Sequence, residues 1–442
     1  MNVSTLAIIG FVMVCVFMYL IMSKRLSAMN ALILVPLLFG IGLGLAGMAP
    51  LGKLGSMVMD GIRKAAPTGI MIMFAILYFG TMIDAGLFDP LINKILKVTH
   101  GDPLKVIVGT ALLAGIVSLD GDGATTYMIV TSAMLAVHKR IGINPIILPT
   151  VAIMQNGVMN ILPWGGPTGR VMSALGLDAS QVFVPMIPGM VVGTIWVMFW
   201  AYLLGMKERA RLGTVTMAEA AAAQEYVVEL DEDSAKLKRP HLFWANLGLT
   251  ALLMAALVSD KFPLAVLFMV GTALALMINY PNLKTQQELI MKHGMNAIPT
   301  VSLVVSAGVL MGIMSGTKMV DAMANSLTSS IPASMGSHIA LITALAGLPF
   351  DYFLSNDAFY FGIVPILAKT AANYGIGAAE IARASLIAQG CHLLSPLVAS
   401  TYLLCGMSGV TLGDLTKSAL LPSIGTSLVM LATALALGLF PI

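Results

Sequence analysis

The chain has 442 residues, 58% hydrophobic and only 10% charged, with a mean hydropathy of +0.92. Soluble domains carry about 25% charged residues, so a water-soluble globular fold is excluded and an all-α polytopic membrane protein is expected. The net charge of +3 says little about partners, because in a membrane protein the placement of basic residues matters more than their sum; no nucleic-acid partner is expected.

The first apolar run, Leu6 to Met22, lacks a basic start and an A-x-A-like cleavage site, so it reads as a retained helix. Further full-length spans are predicted at 29–48 and 67–85. Two apolar stretches, 104–117 and 124–137, then flank "SLDGDGATTY", which begins at Ser118. At 14 residues each they reach about 21 Å as helix, short of a hydrocarbon core about 30 Å thick. A re-entrant hairpin over 104–137 is therefore expected. The span 146–175 that follows is interrupted by "NGVMNILPWGGPTGR", where proline and glycine break the helix. After the span 182–205, residues 207–240 read as a solvated cytoplasmic linker holding "KERAR" and "ELDEDSAKLKR".

The second half predicts spans at 242–258, 262–279, 297–315 and 418–440. A second hairpin, 338–369, surrounds the tip "FLSNDA", and a second broken helix, 380–404, contains "QGCHLLSPLVAST". Non-helical backbone at this depth survives only where it is buried in protein or lines a cavity.

The halves resemble each other. Gly80 and Asp89 match Gly312 and Asp321 at an offset of 232, and Asn156 and Thr168 match Gln389 and Thr401 at 233. "DGDGATTYMIV" aligns with "LSNDAFYFGIV" at 234. Each half (1–206 and 241–442) contains five crossings, one a broken helix, and one re-entrant hairpin. An odd number of crossings inverts the second copy, the pattern of secondary transporters. With both termini extracytoplasmic, 16 of the 24 lysines and arginines fall on the inner side, as the positive-inside rule requires.

Ionised groups in hydrocarbon are costly, so they are functional candidates by default. Tip one offers Ser118, Asp120, Gly121, Asp122, Gly123, Thr125 and Thr126; tip two offers Ser355, Asn356 and Asp357. The broken helices add Asn156, Asn160, Gly165, Gly166, Thr168, Gln389, His392, Ser395, Ser400 and Thr401. Helix amino termini suit carboxylates, and freed carbonyls suit cations. Together these groups fit a small oxygenated ligand with a hard cation. Asp120, Asp122 and Asp357 are assigned to metal or proton coupling; the others, apart from Thr126 and Gln389, are assigned to substrate. Ser118 and Ser355 also read as helix caps, His392 as a core histidine, and Asp351 as structural. Arg170 and Arg383 either bind an anion or pair with a nearby acid.

Other classes fit less well. The Gly-Asp pair in "DGDG" resembles that of intramembrane aspartyl proteases, but two carboxylates sharing a proton must face each other from separate helices. A channel favours a continuous pore over two hairpins. Cys15, Cys391 and Cys405 are too few and scattered for disulfides or a metal cluster.

"LDGDGATTYMI", "NGVMNILPWGGPTGR", "PFDYFLSNDAFYFGI" and "HLLSPLVASTYLL" resemble the bacterial citrate–metal–proton symporter (CitMHS) family of the ion transporter superfamily. The resemblance covers essentially the whole chain. It implies proton-driven uptake of citrate complexed to a divalent metal of the magnesium or calcium type, across the inner membrane. The metal is a co-substrate, with no permanently bound cofactor. A homodimer is also implied, with the hairpin-bearing part moving as an elevator. Sodium-driven relatives carry Ser-Asn-Thr at both tips. Here tip two reads Ser355-Asn356-Asp357 and tip one Gly121-Asp122-Gly123, so a sodium site does not carry over. The alternative is a metal-independent di- or tricarboxylate symporter coupled to sodium or protons.

Overall fold

The structure is a computed structural model that describes residues 3–99, 102–213, 232–258 and 261–441; residues 214–231 of the expected linker lie outside the described residues. Among the described residues every regular element is helical. Among the described residues eight helical stretches are long and apolar enough to cross a membrane. Thr5–Met22 and Ala28–Leu45 come first, and the broken and re-entrant elements supply shorter apolar helices such as Ile147–Met159 and Ile339–Phe353.

The centre is a pair of long helices, Leu54–Asp84 and Leu283–Gly316, of 31 and 34 residues. They reach about 46 and 51 Å at 1.5 Å per residue. Spans were expected to begin at 67 and 297, where a proline stands near the boundary. Instead both helices continue through Pro67 and Pro299. The added turns carry charge, including the exposed Asp60–Arg63 and Lys284–Glu288 pairs. They are helix beyond the hydrocarbon, invisible to a search for apolar runs. The two helices run antiparallel and make the most extensive helix packing in the protein. Gly61 faces Gly308 and Gly312, where a Cβ on Gly61 would stand 2.7 Å from the Gly312 nitrogen. Near the other end Gly80 lies against the His293 ring. His293 Nε2 lies 2.8 Å from Asp84, which also accepts from Lys292 Nζ at 2.9 Å. Small residues let membrane helices approach closely, and that contact replaces the hydrophobic drive lipid cannot supply.

Each long helix leads into a shorter one, Asp89–Thr99 and Met319–Ser330, with Asp89 and Asp321 in the respective first turns. The first hairpin is Pro103–Val117, a 3-10 turn Ser118–Asp120, and Gly123–Ile141. Its first arm with the 3-10 turn has 18 residues, not 14. Length alone therefore does not make it re-entrant. The chain reverses at the tip: Gly121 takes φ +78°, and the arms lie together where Thr110 Oγ1 meets His138 Nε2 at 2.9 Å. The second hairpin is Ile339–Phe353, a π-helical turn Ala358–Ile363, and Val364–Ala372. Its first arm runs through Pro349 to Phe353 and so places Asp351 in the helix.

The first broken segment is Ile147–Met159 and Gly166–Leu175; the second is Ala378–Leu386, Gln389–His392 and Ala399–Ser408. Ile187–Leu212 and Leu412–Ala436 pack on one another and flank Ile147–Met159. The linker boundary at 206/207 falls inside Ile187–Leu212, so "KERAR" is helical and not a free tether. Buried Glu208 there accepts from the Asn144 nitrogen at 3.0 Å and from Arg211. The far end is docked as well: Lys238 pairs with Asp89 at 2.9 Å and Arg239 lies over the Tyr280 ring.

Candidate substrate-binding site

The two hairpin tips and the two breaks meet in one region. Asp122 is the N-cap of Gly123–Ile141 and accepts from the Thr125 nitrogen at 2.9 Å and the Thr125 hydroxyl at 2.6 Å. Its carboxylate is nevertheless exposed. Asp120 is buried, and its Oδ1 accepts from the Asp122 nitrogen at 2.9 Å. That oxygen shapes the turn beneath Asp122. Gly123 abuts both broken segments: a Cβ there would lie 2.9 Å from Asn156 Nδ2 and 3.2 Å from Ser400 Oγ. Gly121 packs on Trp164, whose Nε1 donates to the Leu119 carbonyl at 2.9 Å. The first break thus latches the first tip.

At tip two, Ser355 Oγ accepts from the Ala358 nitrogen at 3.2 Å, the same cap two halves apart. Asp357 makes an ion pair with Arg170 of the first broken segment at 2.7 Å, with side chains 16% and 15% exposed. Arg170 also donates to the Gly166 carbonyl at 2.9 Å. Of the two readings for Arg170, pairing with an acid is what the geometry contains. Asp357 is correspondingly occupied, a different position from the free metal or proton carboxylate expected of it.

Gln389 joins these parts. Its Oε1 accepts from Asn160 Nδ2 at 3.1 Å. Its Nε2 lies 2.8 Å from Asp351 Oδ2, 2.8 Å from the Tyr360 hydroxyl and 3.4 Å from Asn356 Oδ1. Asn156 Nδ2 donates to the Tyr127 hydroxyl at 3.0 Å. Tyr360 follows Tyr127 by 233, as Gln389 follows Asn156 and Ser355 follows Asp122. Recurring bonds therefore align the tips at 233, one residue from the 234 expected from letter matches. On this register Ser118 corresponds to Asp351, and both are 0% exposed.

Several expected ligands are turned inward. Thr168 Oγ1 donates to the Ile161 carbonyl at 2.7 Å and Thr401 Oγ1 to the Leu393 carbonyl at 2.5 Å, each closing its own break. Ser395 is buried and accepts from the Leu397 nitrogen at 3.2 Å. Ser118 bonds within the tip to Thr126 at 3.3 Å, and His392 Nδ1 bonds the Asp351 carbonyl at 2.6 Å. The side chains left at least partly open are Asp122, Thr125, Asn160, Ser355, Asn356 and Ser400, with the backbone of Gly123 and Gly166 beside them. Trp164, Tyr127 and Tyr360 were missed as residues that position the site, and Asp351, read as structural, lies buried behind it in the Gln389 network. The two tyrosines had a signal, since each stands 29 residues before its amide partner. Among the described residues no three His, Cys, Asp or Glu side chains are grouped to hold a metal ion.

Paired hairpins, interrupted helices and a polar cluster inside an apolar bundle define a multi-pass membrane transporter. The crystal structure of the Alcanivorax borkumensis YdaH transporter shares the fold, with a TM-score of 0.62 over 88% of this chain and 90% of that one, at 15% identity. The chain belongs to the CitMHS citrate transporter family, whose model matches residues 17–388. It is 56% identical to a citrate transporter of Bacillus subtilis (98% of this chain, 99% of that one). It is 49% identical to that organism's Mg(2+)/citrate complex secondary transporter, covering 98% of each chain. Family and relatives are transporters, not enzymes.

Proposed function

We propose that the protein imports citrate as a complex with a divalent metal by proton symport across the bacterial cytoplasmic membrane. One observation carries this reading: the two tips differ in charge. Tip one presents the exposed carboxylate of Asp122, which has hydrogen bonds from Thr125 but no ion pair among the described residues, a hard oxygen ligand for a cation such as magnesium. Tip two presents neutral donors, Ser355 and Asn356, and its one acid is neutralised by Arg170. Free citrate is repelled by Asp122. The metal complex carries less negative charge, and its metal keeps positions that protein oxygens fill. The metal then sits towards tip one and the free carboxylates towards tip two. The name of the magnesium–citrate relative supports the same cargo.

The movement is of the elevator type: hairpins, broken segments and their flanking helices shift against the long-helix pair. Antiparallel packing of the long helices supports an inverted repeat. The contacts Gly61–Gly312 and Gly80–His293 exchange with one another when each residue is replaced by its counterpart at offset 232. Both termini lie outside, with the inner side basic, and the protein works as a homodimer.

The test is labelled citrate uptake in proteoliposomes across a metal panel, with and without a proton gradient. Uptake is expected to need a divalent metal and to be accelerated by inward protons. Uptake undiminished by thorough chelation refutes the metal complex and leaves a metal-independent carboxylate symporter.

A further inference from the structure

We propose that Asp351 carries the coupled proton, and that it signals its charge to the substrate site through the Gln389 amide. This rests on the proton-symport reading above. Asp351 is 0% exposed, in the first arm of the second hairpin, four residues before Ser355. Its Oδ2 accepts from Gln389 Nε2 at 2.8 Å, while its Oδ1 is buried with no hydrogen-bond partner. An ionised carboxylate is costly to bury unless it is paired and hydrogen-bonded. Here one neutral donor meets it, and no cation pairs with it among the described residues.

The groups around it are few. Tyr360 faces it from the returning arm, and Cys391 and His392 from Gln389–His392. His392 touches only its backbone carbonyl. Arg170 is engaged by Asp357, and Arg383 on the neighbouring Ala378–Leu386 donates to the Ala379 carbonyl at 3.1 Å. Glu380, on that same helix, accepts from the Gly377 nitrogen. The orphaned Oδ1 is thus open to take a proton.

Gln389 turns this into a signal. Its amide nitrogen has two hydrogens but three oxygens near it: Asp351 Oδ2, the Tyr360 hydroxyl and Asn356 Oδ1. The last is the loser, at 3.4 Å. A carboxylate is the strongest acceptor of the three, because hydrogen bonds to ionised groups are roughly twice as strong as neutral ones. When a proton adds to Oδ1, an O–H bond forms and the negative charge is lost. The proton comes from hydronium on the proton-rich side, one O–H bond of which breaks to leave water. Asp351 then competes no better than an amide carbonyl, and the Gln389 hydrogen becomes available to Asn356. Asn356 is the partly open group at tip two. Proton arrival at the buried acid therefore re-orients a donor at the substrate site, and substrate that fixes Asn356 favours the protonated acid in return. That reciprocity is what coupling requires.

The test compares wild type with Asp351→Asn in proteoliposomes, using magnesium–citrate as the probe. Two readouts are taken: exchange at equal pH on both sides, and accumulation driven by an inward proton gradient. The amide keeps shape and size but cannot gain or lose the proton. Asp351→Asn is expected to retain exchange within about threefold of wild type, lose accumulation, and flatten the pH dependence of apparent citrate affinity. Wild-type accumulation indifferent to the gradient refutes symport, and this inference with it. A responsive wild type with an equally responsive Asp351→Asn overturns only the role of Asp351. Asp351→Ser, which installs the residue found at the counterpart Ser118, guards against a folding defect in the first variant and is expected to behave alike. Loss of exchange in both variants overturns the proposal, since the acid then serves the fold or the binding step.

Discussion

The Arg170–Asp357 pair joins the first broken segment to the second hairpin tip, so its strength decides how firmly the two halves of the site are held. Asp357→Asn keeps the carbonyl that faces Arg170 Nε and removes only the charge. At an effective dielectric of about 20, unit charges about 4 Å apart attract by roughly 4 kcal/mol. Breaking a buried pair by removing one partner costs about 3–5 kcal/mol, because the other charge stays behind uncompensated. With each side chain about 15% exposed, water softens the loss, and we expect about 3 kcal/mol. Arg170→Gln should cost as much or slightly more, since its bond to the Gly166 carbonyl goes as well. The double variant should be no worse than the worse single one. The assay is equilibrium unfolding in mixed micelles over the four-member cycle. A coupling energy below about 0.5 kcal/mol, the scatter expected of independent sites, refutes the clamp and returns Asp357 to the list of free carboxylates.

Ser355→Ala and Asn356→Ala should each weaken citrate affinity about ten- to a hundredfold, the loss of one hydrogen bond to a charged group being about 1.5–3 kcal/mol; wild-type affinity by calorimetry in both removes tip two from the site. Asn caps a helix as well as Asp, so Asp122→Asn should leave the melting temperature unchanged while weakening the metal dependence of uptake. Asp120→Asn, in a buried turn, should instead destabilise; the reverse pattern overturns the roles given to the two acids. Finally, Asn373 Nδ2 reaches Thr328 Oγ1 at 2.8 Å and Lys369 reaches Asp321 at 2.8 Å, tying the second hairpin to Met319–Ser330. Cysteines at 328 and 373, in a Cys15→Ser background, should crosslink and stop uptake until reduced. Uptake that continues through a complete crosslink refutes elevator movement.

Much of this architecture was legible because hydrocarbon is a demanding solvent. Runs of about 18 apolar residues and glycine- or proline-rich interruptions located nearly every element, and the acids at 120 and 122 marked the first tip. Helix beyond the membrane escaped the same reading, since Asp60 to Lys64 and Lys284 to Lys292 look like loop when only hydropathy is scored. Asp351 escaped for a related reason. It precedes the tip, and a carboxylate there looked structural. Only the hydrogen bond from Gln389 and the shared position with Ser118 link it to the site. Trp164 carried no signal at all, because a tryptophan in an apolar segment is expected to pack, and its bond to the Leu119 carbonyl depends on the path of two distant turns.

The two broken segments touch at Gly157 and Gly390, where a Cβ on Gly157 would lie 3.2 Å from the Gly390 Cα. These glycines are 233 apart, so on the inverted-repeat reading each is the counterpart of the other. A residue can touch its own counterpart only beside the axis that relates the copies. If the halves descend from a half-length ancestor assembled as a symmetric pair, that glycine was a single codon, and any change to it struck both faces of the contact at once. Fusion into one chain separated the two positions. Next to the glycines the halves have since parted: Asn156 on one side, Gln389 on the other, one methylene longer and able to reach an acid that the first half never acquired.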